Sequence, residues 1–357
     1  MNVPPLHQAA PYFTMFPLEY PLTHLRSLPA GSWVLDPFVG RGTTVWASRI
    51  LGLRVVGVEV SRVGAAQARA LLAQARAEEV LGLAEELLQK PAEPPPEGEF
   101  WELAYHPETL REILALRRGL LELGEASGVA DLLRLFILGR LHGPIRKTVS
   151  YFSNQMPRTY APKPDYAVGF WRRRGLRPPR APVLDVLQRA VRRYLAGALP
   201  PEIEGAVIQA DARRLDYAAL GKNFRAVVTS PPYPGMRTYV PDQWLRGWFL
   251  GGPPRPEYAY KDQLAYTSRE RYVAELKSVW LGVAKASVPG AKLVVRLGSL
   301  RRDADPLELF ADSLQGTPWR LVRVEMVPDR RRQSVQFLQE NRQPPVREAD
   351  FVAVLEG

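Results

Sequence analysis

A turn with two glycines lies at residues 36–44 (DPFVGRGTT), where a predicted strand gives way to a predicted helix. Gly40 and Gly42 permit a tight turn and let a ligand approach the backbone closely. The helix that follows has free N–H groups in its first turn, and these bind an anionic group. Glu59 ends the next predicted strand, where its carboxylate can accept hydrogen bonds from two ribose hydroxyls. The pattern predicts a site for a ligand that contains a nucleoside.

Two common nucleotide-binding motifs fit this turn less well. The dinucleotide fingerprint carries a third glycine where this chain has Val45, and a phosphate-binding P-loop needs a lysine where it has Thr43. A dinucleotide stays an alternative on this turn alone, but a nicotinamide dehydrogenase would leave the second motif unexplained.

The second motif is TSPPY at residues 229–233, directly after a predicted strand. Its two prolines lack N–H donors and fix φ, so the loop is stiff. The Ser230 hydroxyl and the Pro231 carbonyl are acceptors for a substrate amine, and Tyr233 offers a flat surface on which a base can stack. An exocyclic base amine is a poor nucleophile because its lone pair is delocalised into the ring. Acceptors that hold its hydrogens, and a fixed position beside an electrophile, favour its attack.

Together the two motifs resemble those of the DNA amino-methyltransferases, which use S-adenosylmethionine to methylate cytosine N4 or adenine N6. The resemblance covers most of the predicted sheet and implies S-adenosylmethionine as cofactor. It implies a catalytic loop of Ser230, Pro231, Pro232 and Tyr233. It also implies that Glu59 contacts the ribose, that Asp211 contacts the adenine, and that Thr14 lies in a segment closing over the methionine end. The full predicted cofactor set is Asp36, Phe38, Gly40, Gly42, Thr43, Glu59, Asp211 and Thr14.

The residue at position 230 bears on the target base. Adenine-specific members of the family usually carry an acidic residue at this position. With Ser230 there, the motif of this chain resembles that of the cytosine-N4 subgroup. The chain has 0 cysteines, which excludes methylation of cytosine C5 through a covalent cysteine adduct. We expect direct transfer to the amine. The alternatives are an adenine-N6 methyltransferase, an RNA base-amine methyltransferase and a catalytically silent nucleic-acid-binding subunit.

The charge of the chain indicates a polyanionic partner. Its net charge is +11 and its pI about 9.9, which favours nucleic acid. A base inside a duplex must be flipped out to reach the TSPPY loop. We expect duplex DNA as partner, with a cognate restriction endonuclease if the enzyme belongs to a restriction–modification pair. The predicted DNA contacts are Trp171, Arg172, Arg173, Arg174, Arg177, Arg237 and Arg331.

Other sites and locations are not indicated by the sequence. Its four histidines are scattered and show no metal-ligand spacing, so no metal is predicted. No run of 18 apolar residues and no signal-peptide pattern occurs, so we expect a cytoplasmic protein without a membrane partner.

The elements that must position both motifs form an α/β fold. Short apolar runs predict about seven strands in a doubly wound, Rossmann-like methyltransferase sheet, with a late antiparallel hairpin. The strands are predicted at Ser32–Asp36, Arg54–Glu59, Gly205–Gln209, Arg225–Thr229, Ala291–Leu297, Arg320–Val327 and Ala349–Leu355. Helices are predicted at Thr43–Leu51, Val63–Gln89, Pro107–Leu123, Ala130–Leu141 and Arg269–Ser287.

The predicted elements divide the chain into two parts. Residues 1–61 and 205–357 are predicted to form the catalytic domain. Residues 62–204 are predicted to be a large, mostly helical insertion, rich in Arg, Pro and aromatic residues in its second half, and a candidate for DNA recognition. Within the insertion, residues 145–180 show little helical periodicity.

Overall fold

The computed structural model describes residues 5–12, 16–124, 128–145, 149–157, 163–234, 241–258, 264–265, 268–301, 304–327 and 347–357. The chain forms two compact units. The helical unit comprises residues 1–13, 61–202 and 239–260, and the sheet unit comprises residues 14–60, 203–238 and 261–357.

Among the described residues of the sheet unit, seven strands form one sheet. They are β1 (Trp33–Asp36), β2 (Arg54–Glu59), β3 (Gly205–Gln209), β4 (Phe224–Thr229), β5 (Ser287–Ser299), β6 (Trp319–Met326) and β7 (Arg347–Leu355). Their order is β3-β2-β1-β4-β5-β7-β6, with β7 antiparallel to both of its neighbours. The predicted doubly wound α/β sheet and its late antiparallel hairpin are confirmed.

The central strands are apolar because both faces of the sheet are covered. Leu35, Val227 and Leu293 are fully buried. The helices of this unit are α1 (Glu19–Leu25), α2 (Thr43–Ile50), α11 (Arg269–Lys285) and α12 (Pro306–Leu314). Trp280 of α11 donates its indole N–H to Ser313 of α12 at 3.0 Å, so the two helices are joined by a buried hydrogen bond as well as by apolar packing.

The strand order places a topological switch point between β1 and β4. From β1 the chain builds outward through β2 and β3 and then returns to β4 on the other side of β1. In open α/β sheets, ligands bind beyond the carboxyl ends of the strands at such a point. The loop that follows β1 holds the two-glycine turn, and the loop that follows β4 holds TSPPY, so the two motifs flank the switch point.

The helical unit contains eight α-helices within its described residues. They are α3 (Arg62–Ala70), α4 (Ala77–Leu88), α5 (Glu99–Ala104), α6 (Pro107–Leu123), α7 (Gly128–Arg140), α8 (Pro164–Arg173), α9 (Val183–Tyr194) and α10 (Trp244–Phe249). Helix α7 is buried nearly all round: most of its residues are apolar, and its buried charges Asp131 and Arg134 pair with each other at 2.9 Å. It is the central helix of the unit.

Two predictions for the helical elements are wrong. The helix predicted over Val63–Gln89 is two helices, α3 and α4, because a new helix starts where the Glu79 carboxylate accepts the Arg76 N–H at 2.7 Å. The aperiodic stretch 145–180 contains α8, an amphipathic helix with Ala167 and Trp171 on its buried side.

The unit boundaries also differ from the predicted ones in two segments. Residues 1–13 and 239–260 cluster with the helices. The first segment packs closely against α7 at Gly139, where a Cβ would lie 2.2 Å from the Ala9 carbonyl oxygen. Trp248 holds the second segment, with its ring centroid 4.4 Å from that of Trp101. In the described part of the chain, no helix has the length and apolarity required to span a membrane.

Candidate active site

The turn after β1 is tightly packed against β2. The Val39 N–H donates to the Val58 carbonyl at 3.0 Å, and a Cβ on Gly57 of β2 would lie 2.9 Å from the Val39 side chain. Gly40 and Gly42 have φ values of 54° and 92°, which side-chain-bearing residues rarely adopt. Gly42 is the N-cap of α2 and gives it no side-chain cap. The first-turn N–H groups of α2, beginning at Thr43, can therefore meet a ligand carboxylate.

Asp36 joins the two predicted motifs. One carboxylate oxygen accepts the Thr44 hydroxyl at 2.6 Å. The other accepts the Thr229 hydroxyl at 2.6 Å and the Phe38 N–H at 3.1 Å. Thr44 belongs to the first motif and Thr229 to the second, so a single buried side chain fixes one loop relative to the other.

The burial of Asp36 has two consequences. Its side chain has no exposed surface, so the structure makes it a brace between the loops and corrects its prediction as a direct cofactor contact. Burial raises the pKa of Asp36 from 3.8 to about 6, against the lowering effect of the hydrogen bonds from Thr229, Thr44 and Phe38.

Glu59 lies at the carboxyl end of β2, beside the same turn. Its carboxylate accepts the Gly40 N–H at 2.9 Å, which places it next to the glycine turn as the predicted ribose contact requires. The side chain is half-buried, as is that of Phe38. A carboxylate in this position can accept hydrogen bonds from sugar hydroxyls.

Asp211 follows β3 and is engaged by a guanidinium. Arg213 donates to it at 2.6 Å, and the same guanidinium donates to Glu275 of α11 at 2.9 Å. Burial opposes ionisation, but the hydrogen bonds from Arg213 hold the pKa of Asp211 below its usual 3.8. Asp211 is a fixed carboxylate at the sheet edge, one strand beyond Glu59.

The TSPPY loop is anchored from two sides. Tyr272 of α11, which is buried, donates its hydroxyl to the Pro232 carbonyl at 2.8 Å. The Leu300 N–H donates to the Pro234 carbonyl at 3.1 Å, just beyond the end of β5. Pro231 is buried, whereas Ser230, Pro232 and Tyr233 are half-buried. The loop is thus fixed at its prolines, while Ser230 and Tyr233 keep part of their surface exposed.

The ring of Tyr233 lies against the β5–β7 pair. Its hydroxyl donates to the Glu348 carboxylate, and a Cβ on Gly298 would lie 2.7 Å from its ring. Gly298 and Glu348 face each other in register across β5 and β7. Burial, and secondly the charge of Glu348, raise the pKa of the Tyr233 phenol well above its usual 10.0, so the phenol is protonated at neutral pH.

Three residues of this site escaped the sequence analysis: Tyr272, Gly298 and Glu348. Gly298 did leave a signal, since an isolated glycine inside an apolar strand marks a close approach by another group. Glu348 left none, because its place beside Tyr233 follows from the β5–β7 register.

The predicted DNA-contacting residues have different outcomes. Trp171 is fully buried, and its indole donates to the Gln155 carbonyl at 2.7 Å, which corrects its assignment to a surface. Arg172 donates through two nitrogens to Glu99, at 2.5 Å each. Arg173, Arg174 and Arg177 are exposed. The predicted residues Thr14, Arg237 and Arg331 lie outside the described residues.

A family profile described as "DNA methylase" matches residues 3–69 of the chain. The match covers less than half of the chain but includes the whole turn after β1 and Glu59. It supports a methyltransferase that uses S-adenosylmethionine. No curated protein matches the chain.

Three solved structures show a distant likeness. TrmN from Thermus thermophilus is 11% identical with a TM-score of 0.34, over 94% of this chain and 47% of TrmN, so the chain spans about half of its length. The rRNA methyltransferase aviRa from Streptomyces viridochromogenes is 14% identical with a TM-score of 0.35, over 96% and 87% of the two chains. An S-adenosylmethionine-dependent methyltransferase from Methanosarcina mazei is 9% identical with a TM-score of 0.36, over 94% and 98%. The fold of this chain is defined by its own strand order.

Proposed function

We propose that this protein transfers a methyl group from S-adenosylmethionine to the exocyclic amine of a nucleic-acid base, with N4 of cytosine in duplex DNA as the target. The observation that carries the proposal is the position of Asp36, which bonds the hydroxyls of Thr44 and Thr229. This bridge ties a nucleoside-binding turn to an amine-binding loop at the switch point, and methyl transfer needs a cofactor and an amine held beside each other.

The residues around the turn fit this cofactor. The uncapped N-terminus of α2 suits the carboxylate of the methionine moiety, and Glu59 suits the ribose hydroxyls. When bound, S-adenosylmethionine supplies an electrophilic methyl group on a sulfonium.

The TSPPY loop supplies what the amine needs. The Ser230 hydroxyl and the Pro231 carbonyl can accept the two amine hydrogens, which turns the nitrogen lone pair toward the methyl group. Tyr233 stacks on the base from a fixed position. With 0 cysteines in the chain, no covalent cysteine adduct is available, and the transfer is direct. A neutral hydroxyl at residue 230 supports cytosine as the target.

The charge of the chain supports DNA as the partner. The net charge of +11 favours a polyanion, and a duplex must release its target base into the loop by flipping. We propose that the helical unit contributes phosphate contacts from its exposed arginines Arg173, Arg174 and Arg177. Their sequence-independent contacts would supply affinity, whereas base-edge contacts would supply sequence choice.

The test is substitution of the stacking residue. Tyr233→Ala should lose most methyl transfer to DNA while the affinity for S-adenosylmethionine, measured by calorimetry, stays at the wild-type value. Tyr258→Ala is the matched control, because Tyr258 is 64% exposed and belongs to the helical unit. If Tyr233→Ala also abolished cofactor binding, the assignment of this loop to the target base would be wrong.

A further inference from the structure

Glu348 presents a carboxylate to the TSPPY loop from a strand outside both motifs. It lies on β7, and its side chain accepts the hydroxyl of Tyr233. A hydrogen bond to an ionised acceptor is roughly twice as strong as one between neutral partners. The orientation of the tyrosine ring therefore depends on a residue more than 100 positions away in the sequence.

The charge of Glu348 acts on Arg296 of the neighbouring strand without a direct ion pair. Within the described part of the chain, no Lys or Arg side chain forms an ion pair with it. Arg296, on the neighbouring strand, donates to both oxygens of Asp350 at 2.7 Å and is thereby occupied. Burying a carboxylate without a partner is costly, and among the described residues the Glu348 side chain accepts its hydrogen bond from Tyr233.

Close contacts on two sides restrict the position of the Tyr233 ring. The absence of a Cβ on Gly298 makes room for the ring edge. Tyr272 fixes the backbone at Pro232, one residue before the ring. Tyr272 thus fixes the backbone next to Tyr233, Gly298 contacts the edge of its ring, and the Glu348 carboxylate accepts the hydrogen bond of its hydroxyl.

We propose that Glu348 is a positioning residue for methyl transfer, which acts by holding the Tyr233 ring in the plane on which the target base stacks. The inference rests on the proposed function. Glu348 acts as a hydrogen-bond acceptor in this role, so an uncharged acceptor of the same shape should replace it in part. A displacement of about 1 Å in a positioning group can lower a rate by about 100-fold.

The experiment is a double-mutant cycle on kcat/KM for DNA. Glu348→Ala and Tyr233→Phe both remove the hydrogen bond between Glu348 and Tyr233, and Tyr233→Phe also removes the interaction of its hydroxyl with Ser230. Each variant should lower kcat/KM by about 10-fold to 100-fold. The double variant should lose no more than the worse single variant. Glu348→Gln keeps an acceptor oxygen and should retain more activity than Glu348→Ala. KM for S-adenosylmethionine should stay unchanged in every variant.

A matched carboxylate provides the control. Glu325→Ala removes an exposed carboxylate from the adjacent strand β6, where it pairs with Arg323 at 2.9 Å, and should leave kcat/KM at the wild-type value. If Glu348 merely stabilised the sheet, the losses from Glu348→Ala and Tyr233→Phe would multiply in the double variant, and Gln would not rescue. That result would overturn the inference even if Glu348→Ala folded poorly, because Tyr233→Phe and Glu348→Gln alter few atoms.

The two proposals fail in different ways. A wild-type protein that methylates DNA, together with Glu348→Ala at full activity, would overturn the role of Glu348 alone. A wild-type protein that transfers no methyl group to any nucleic acid would overturn the proposed function and this inference with it.

Discussion

Replacing Gly298 by alanine should disable the site with little harm to the fold. The added Cβ would lie 2.7 Å and 3.0 Å from two ring carbons of Tyr233 and 3.0 Å from the Arg347 carbonyl oxygen. Ordinary contacts between carbon atoms are about 3.5–4.0 Å. The Arg347 carbonyl belongs to the β5–β7 pairing and cannot retreat, so the tyrosine ring must move by about 1 Å.

The size of the effect follows from that displacement. A shift of about 1 Å in a positioning group can cost about 100-fold in rate, and overpacking of this kind costs about 1–3 kcal/mol in stability. We therefore expect Gly298→Ala to fold, to bind S-adenosylmethionine normally and to lose about 100-fold in kcat/KM for DNA. The assays are methyl-transfer kinetics, calorimetric cofactor binding and urea unfolding.

A second glycine provides the control. Gly82 is exposed in α4, and a Cβ there would meet nothing within 4 Å. Gly82→Ala should keep full activity and gain about 0.4–1 kcal/mol in stability. Wild-type activity in Gly298→Ala would refute the reasoning, because it would show that turnover does not depend on the position of the Tyr233 ring.

Three further predictions follow from buried and exposed charges. The pKa of Asp36 is raised from 3.8 to about 6, so its contribution to stability is fully present below pH 3.8 and is lost as pH rises through about 6. Between pH 3.8 and about 6 the wild-type protein should lose roughly 3 kcal/mol in its free energy of unfolding, and Asp36→Asn should remove that loss. If urea unfolding of the variant showed the same dependence on pH as the wild type, this prediction would be contradicted. Burial, with a smaller effect of the Arg246 charge, lowers the pKa of His142 well below 6.5, so its contribution is present above pH 6.5 and lost as pH falls below it. His142→Leu should remove that acid-side loss, whereas an identical loss in the variant would place the titration elsewhere. DNA affinity should fall steeply with added salt, and replacing Arg173, Arg174 and Arg177 by alanine should make the salt dependence shallower; a slope equal to the wild-type slope would exclude them as phosphate contacts.

The strands and the two motifs could be predicted because their signals are local. Apolar runs bounded by Gly, Pro or Asp predicted all seven strands, and Thr43 marked the start of α2. Residues 36–44 and 229–233 each carry their chemistry within one short loop, so spacing alone was informative. The strand order then brings the two loops together, which doubly wound topology makes predictable.

The contacts that set the site's geometry were harder to predict. Asp36 was expected to contact the cofactor, but hydrogen bonds from Thr44 and Thr229 bury it between the loops. Glu348 meets Tyr233 only through the register of β5 and β7, which a strand pattern does not specify. Trp171 lay in an arginine-rich run that indicated a surface, and the amphipathic spacing of α8 that buries it was missed.

The most direct measurement is a methyl-transfer assay with labelled S-adenosylmethionine, offering duplex DNA and RNA separately and digesting each to nucleosides for mass analysis. We expect the label in N4-methylcytosine from DNA, and Tyr233→Ala should abolish it. N6-methyladenine from DNA would retain the loop chemistry and contradict the assignment of the base. Label in RNA alone, or in neither nucleic acid, would contradict the proposal that this protein is a DNA amino-methyltransferase.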